Sequence, residues 1–141
     1  MEPGGTLFTE LTSRVAAIAS EHARRDSVGA TFWRRYQTAF ATALGAHWNS
    51  PVDAHDDTTE VMCRSFYLMQ AAMLGDAFKT IQDRWDDFMT MRALEAVRRH
   101  PESRVVVLAS YRNRHRFVDV LRAAVPERVV SMQKWLASAG Y

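Results

Sequence analysis

The densest run of chemically capable side chains is Tyr111-Arg112-Asn113-Arg114-His115-Arg116-Phe117: three arginines, a histidine and two aromatics in succession. Guanidinium forks pair with carboxylate or phosphate oxygens, and aromatic faces stack on bases. Arg98, Arg99 and Arg104 extend the basic character upstream. A patch over 98–116 suits an acidic protein surface, where arginine is enriched, or a nucleic-acid backbone. The modest net charge of +2 and the lack of a recognition-helix motif weigh against a dedicated nucleic-acid binder. The other reading of the run is a solvated turn between two helices anchored by Tyr111 and Phe117.

A second cluster gathers Asp53, His55, Asp56, Asp57 and Glu60. Carboxylates with an imidazole can hold a divalent cation. The segment lacks the alternating ligands and central glycine of a calcium loop. It reads more simply as an acidic entry to a helix, where the macrodipole favours negative charge, so neither metal nor cofactor is assigned. No two of His22, His47, His55, His100 and His115 fall at i, i+3 or i, i+4, the spacings that aim two ligands from one helix face. Cys63 lies among Val61, Met62 and Phe66 and reads as a small buried hydrophobe. No G-x-S-x-G elbow and no glycine-rich phosphate loop occurs. No catalytic residue is assigned, and a non-enzyme is expected.

The elements that must position these groups are helical. At 141 residues with 48% hydrophobic and 24% charged side chains, the chain has the size and composition of one globular domain. The expected organisation is a single domain over 1–141 with a flexible lead at 1–5. Thr6 or Thr9 is expected to cap a first helix carrying Leu7, Leu11, Val15 and Ile18. A break is expected over Asp26–Gly29. From about Ala30 to Trp48, the residues Trp33, Tyr36, Phe40, Leu44 and His47 share one face. The third helix is the longest, with one stripe of Met62, Phe66, Met69, Met73 and Ala77 and another of Leu74, Phe78, Ile81, Trp85 and Phe88. So wide an apolar arc suits the centre of a fold. This helix is expected to continue or kink through Asp83–Asp87 and to end at Pro101.

The β-branched run Val105-Val106-Val107 with Leu108 fits a strand, but no second strand is available to pair with it, so a short buried helix over 104–110 is expected. Phe117, Val120, Leu121 and Ala124 define a further helix. A last one starts at Pro126, carries Val129, Met132 and Leu136, and ends at Gly140. The fold class is therefore all-α: a single compact bundle of about six helices around a long central hydrophobic helix.

Met73-Leu74-Gly75-Asp76-Ala77-Phe78 resembles the core of the BH3 helix of the Bcl-2 family, Leu-x-x-x-Gly-Asp-x-hydrophobic. Gly75, Asp76, Leu74 and Phe78 carry the likeness. Ala71 stands where the family has its leucine, and the Asn-Trp-Gly-Arg motif is absent. The match covers under ten residues, and no role is carried over from it. A small glycine permitting close helix packing accounts for the same residues.

Charge is distributed unevenly. Residues 1–90 hold 8 Lys+Arg and 12 Asp+Glu, a net of −4, while residues 91–141 hold 10 and 4, a net of +6. One cysteine cannot form an internal disulfide, no apolar run is long enough to span a membrane, and no secretory signal is visible. An intracellular, cytoplasmic location is expected by default. Four tryptophans, Trp33, Trp48, Trp85 and Trp135, are more than a core of this size requires, and tryptophan is enriched at interfaces. The function that fits is a non-enzymatic helical protein–protein interaction module, an adaptor, regulatory subunit or assembly component. Arg98, Arg99, Arg112, Arg114, Arg116 and Trp135 are its candidate partner-binding residues, and a homo-oligomer is among the assemblies it allows. A nucleic-acid-binding module using 98–116 is the alternative, and a small helical metal- or cofactor-binding protein is the third reading.

Overall fold

A computed structural model describes residues 3–140. Its elements are α1 (Pro3–Arg25), α2 (Ser27–His47), α3 (Asp57–Arg99), α4 (Arg114–Ala124) and α5 (Met132–Ser138), with 3-10 turns at Asp53–His55, Tyr111–Asn113 and Pro126–Arg128. No strand occurs among the described residues. The expected all-α bundle is present, and α3 is its centre: α1, α2, α4 and two of the 3-10 turns pack against it.

α1 starts earlier than expected. Pro3 opens it, where a missing N–H costs nothing, so the helix takes in part of the supposed lead; Met1 and Glu2 lie outside the described residues. Thr9 does not cap it; its hydroxyl donates back to the Gly5 carbonyl at 3.0 Å. The break before α2 is one residue, Asp26, whose carboxylate accepts from the Gly29 N–H at 2.7 Å. The residues Ser27 to Gly29 are therefore the first turn of α2, not a loop.

α3 is not one straight rod. Gly75 holds φ 80° and ψ 179°, a region essentially closed to residues bearing a Cβ. Tyr67 and Asp86 are 19 positions apart, yet the Tyr67 hydroxyl donates to Asp86 Oδ2 at 2.9 Å. A straight helix would separate them by about 28 Å. The chain therefore reverses at Gly75, giving a first arm (57–74) and a second arm (76–99) that run antiparallel. The helix continues unbroken through Asp83–Asp87, where a kink was an alternative expectation. A Cβ at Gly75 would meet nothing within 4 Å. Backbone conformation, not close packing, is what requires glycine there. The continuous helix that the BH3 likeness presupposes is absent, and Ala77, beyond the turn, is exposed and leaves the stripe it was assigned to.

The expected core face of α2 is the observed one. Trp33, Phe40 and Leu44 close on Cys63 and Phe66 of the first arm, with Tyr36, Trp48, Met62, Met69 and Met73 packed around them. α2 and the first arm are antiparallel: Trp48 Nε1 donates to Thr59 Oγ1 at 2.9 Å, and the Phe40 and Phe66 rings lie 4.4 Å apart. α1 lies along the second arm, with Phe8 against Trp85 at 5.3 Å.

The segment 104–110 is neither buried nor helical. Three consecutive valines resist the helix because their branched side chains lose χ1 freedom against the preceding turn, and among the described residues no strand is present to pair with them. The segment runs extended, with Val105 and Val107 half-buried and Val106 and Leu108 turned outward, Leu108 to 90% exposure. Pro126 opens a 3-10 turn instead of the last α-helix, and α5 begins only at Met132. Among the described residues no helix is long and apolar enough to cross a membrane.

Candidate functional site

The 3-10 turn Tyr111–Asn113 and the start of α4 carry the arginine run, and they lay it against both arms of α3. Arg114 Nη1 reaches Glu60 Oε2 at 3.3 Å. Arg116 faces Asp83 at 3.4 Å, Asp87 at 3.6 Å and the buried Asp86 at 3.8 Å. The Arg112 guanidinium lies 5.0 Å from the Phe66 ring centroid, a cation–π distance, although its side chain is otherwise exposed. Arg64 of the first arm completes the arrangement with Glu60 and Asp119 at 3.0 and 2.9 Å. The acidic front of the sequence and its basic rear thus meet inside one molecule.

Beneath these pairs lies a buried polar centre. Asp86, 1% exposed, accepts from Tyr67 Oη at 2.9 Å, Gln82 Nε2 at 3.3 Å and Asn113 Nδ2 at 3.4 Å. Burial first, then the adjacent Asp86 carboxyl, pushes the Tyr67 phenol well above its ordinary value. His115 stands edge-on to Tyr67 at 5.2 Å. A buried hydrogen-bond network of this kind favours one arrangement of its helices; here it ties the second arm, the first arm and the turn that leads into α4 together. Asn113 Oδ1 and His115 Nδ1 remain without protein partners.

Two of the carboxylates around His55 hold backbone N–H groups of the loop and of the helix start. Asp53 accepts from the Asn49 and Ser50 N–H groups, both at 2.8 Å. Asp56 caps α3 by accepting from Thr59 N at 2.7 Å and meets His47 Nε2 at 2.8 Å. Among the described residues no three His, Cys, Asp or Glu side chains converge to hold a metal ion. Cys63 is fully buried, and burial pushes its thiol up, away from the thiolate that nucleophilic chemistry needs.

These surroundings set the response to acid. Burial, then the charge of Arg114, holds His55 below its ordinary value; burial, then Arg64, does the same to His115. An unfolded histidine takes up its proton near pH 6.5. Below that pH the unfolded chain binds protons that the folded chain refuses, so stability falls as pH falls. Asp53 is held low by the Asn49 and Ser50 N–H groups. Burial raises Asp56, but the Thr59 N–H and His47 outweigh it and leave it lowered. Their stabilisation is present above about pH 4 and is lost as pH falls through their folded values. The thermal midpoint is expected to decline in two stages, from about pH 6.5 and again from about pH 4, with His115→Gln reducing the first. A midpoint that rises between neutrality and the first stage would contradict this.

Of the six sequence-derived residues, the structure brings Arg112, Arg114 and Arg116 together and places the others elsewhere. Arg98 and Arg99 sit exposed in the last turn of α3, with Arg99 3.6 Å from Glu95. Trp135 stands on α5, 53% exposed, whereas Trp33, Trp48 and Trp85 are packed. Glu60, Asp83, Asp86 and Asp87 as arginine partners escaped the sequence reading; the opposite charges of the two halves were the signal that pointed to them. The outward Val61, Leu68, Val106 and Leu108 escaped it as well. No family model, curated protein or solved structure matches the chain.

Proposed function

We propose that the chain is a helical protein–protein interaction module, working inside the cell as an adaptor, regulatory subunit or assembly component. One observation carries this reading. The folded chain exposes 9450 Å², whereas a compact monomer of its 16.1 kDa exposes about 7,400 Å². The surplus of about 2,000 Å² includes large apolar side chains: Phe8, Phe32, Val61, Leu68, Met91, Val106, Leu108 and Trp135 are all exposed. Surface of that kind in excess of a monomer's is surface suited to a partner.

Within the basic patch, Arg98, Arg99, Arg104 and Arg112 are exposed; Arg98, Arg99 and Arg112, together with Trp135, are the residues proposed to meet a partner. Arg114 and Arg116 are committed to internal carboxylates. The nucleic-acid reading would have to rest on Arg98, Arg99, Arg104 and Arg112 alone.

The test is affinity capture from the native cell, with the chain's own mass in solution measured alongside. Stoichiometric recovery of a protein, either a second copy or another chain, is expected. If Trp135, Arg98 and Arg99 mediate it, Trp135→Ala combined with Arg98→Glu and Arg99→Glu lowers that recovery at least about tenfold, the equivalent of 1.4 kcal/mol. A chain that is monomeric and captures no protein ends the interaction reading.

A further inference from the structure

The reversal of α3 turns on a single residue. Gly75 holds the positive φ, and Gly75, Asp76 and Ala77 are all exposed, so the turn stands in solvent at one end of the hairpin. The helical pattern runs through it: Leu74, Phe78 and Ile81 keep the i, i+4, i+7 spacing across the turn. Ending one helix and starting another leaves backbone N–H and C=O groups without intrahelical partners, which an uninterrupted α3 would pair. Apart from the glycine itself, the local sequence suits a straight helix over 57–99 as well as a hairpin. What holds a single chain folded back is the contact between its halves. Phe8 meets Trp85, Tyr67 meets Asp86 and Arg64 meets Asp119. Each pair joins a residue before Gly75 to one after it, and none requires the two to belong to one chain.

We propose that Gly75 is a hinge at which α3 straightens and two copies of the chain exchange residues 76–140, each second arm packing with its α4 and α5 on the first arm, α1 and α2 of the other copy. The structure displays the occupant of the exchanged surface, because the partner's half takes the seat that the chain's own half fills in the closed form. The two straight helices run antiparallel with both Gly75 residues near the two-fold axis, an arrangement that closes on itself. The buried polar centre is then shared: Tyr67 comes from one copy and Asp86, Asn113 and Arg116 from the other. Short hinges invite exchange of this kind. The same contacts form in both states, so the balance between them is set by the hinge and by association alone. Folding back costs α3 its continuity at Gly75; pairing two chains costs translational and rotational freedom. Halves joined by a short connection meet at an effective concentration on the order of a millimolar, and exchange competes with closure as the chain approaches it. The inference does not rest on the interaction reading, which concerns the exposed side chains.

Analytical ultracentrifugation of the full chain, refolded from urea at each final concentration, tests this, because refolding lets each half choose between its own chain and another. The parent is expected to sediment as a 16.1 kDa monomer when dilute and as a dimer near about 1 mM. Gly75→Ala replaces the residue that tolerates the positive φ with a helix former. Its dimer dissociation constant is expected to fall at least about 100-fold with unchanged helical circular dichroism. Cross-linking reads the connectivity. Glu10 of α1 and Arg84 of the second arm face each other at the surface, 4.0 Å apart. In a Cys63→Ala background, Glu10→Cys and Arg84→Cys joined by a short bis-maleimide link within one chain in the closed monomer and between two chains in the exchanged dimer. Denaturing gels of the dimer then show a band of doubled mass. Parent and Gly75→Ala chains that both stay monomeric up to about 1 mM overturn the inference, as does a dimer whose links all lie within one chain, or a Gly75→Ala dimer no tighter than the parent's. If Gly75→Ala does not fold, the cross-link in the chain with glycine at 75 decides alone.

Discussion

Phe66→Ala is expected to lower folding stability by about 3–5 kcal/mol. Phe66 is 1% exposed and is the ring on which the α2 core closes. The Phe40, Trp33 and Tyr36 rings lie 4.4, 5.3 and 5.9 Å from it, and the Arg112 guanidinium covers it from the turn before α4. Truncation removes the transfer energy of the ring and leaves a cavity that three rigid aromatic neighbours cannot fill. Against a typical total of about 5–15 kcal/mol, that is a large share. Urea denaturation followed by circular dichroism should show a lower midpoint at unchanged slope. A loss below about 1 kcal/mol would mean that the aromatic cluster is not the core.

Gly75→Val is expected to cost about 3 kcal/mol. The reversal of α3 places a residue at φ 80°, ψ 179°, where a β-branched side chain collides with its own backbone. The open space around Gly75 does not help, because the strain is local to the residue. The competing state for such a variant is a straightened α3. That state would separate Tyr67 from Asp86 and part α4 from one of the two arms that it bridges through Arg64–Asp119 and Arg116–Asp83. Denaturant unfolding gives the loss in stability, and small-angle scattering reports whether the molecule lengthens. A variant as stable and as compact as the parent would refute the reversal at Gly75.

The parts of the fold that the sequence states locally are readable in it. The α2 face from Trp33 to His47 and the stripe from Met62 to Met73 are both set by helical periodicity, and both meet in the observed core. Gly75 was visible but ambiguous, because a glycine inside a helical pattern can mean close packing or a positive φ, and periodicity does not separate the two. The second apolar stripe, from Leu74 to Phe88, made the two arms look like one rod. At 104–110 the valine run pointed away from helix, and the lack of a second strand pointed away from sheet. Extended backbone satisfies both constraints, at the cost of leaving Val106 and Leu108 in solvent.

The candidate site was legible in composition and hidden in partnership. Arg114 and Glu60 are 54 positions apart, and Arg116 and Asp83 are 33 apart, so no local pattern joins them. The clue was the global division into an acidic front and a basic rear.

Hydroxyl-radical footprinting of the chain, alone at high dilution and in the assembly captured from the cell, puts the interaction reading to its most direct test. If the chain is an interaction module, a subset of its exposed apolar side chains, among them Phe8, Phe32, Val61, Leu68, Met91, Val106, Leu108 and Trp135, is oxidised more slowly in the assembly than in the chain alone. Oxidation of all of them at the same rate in both samples would contradict the account.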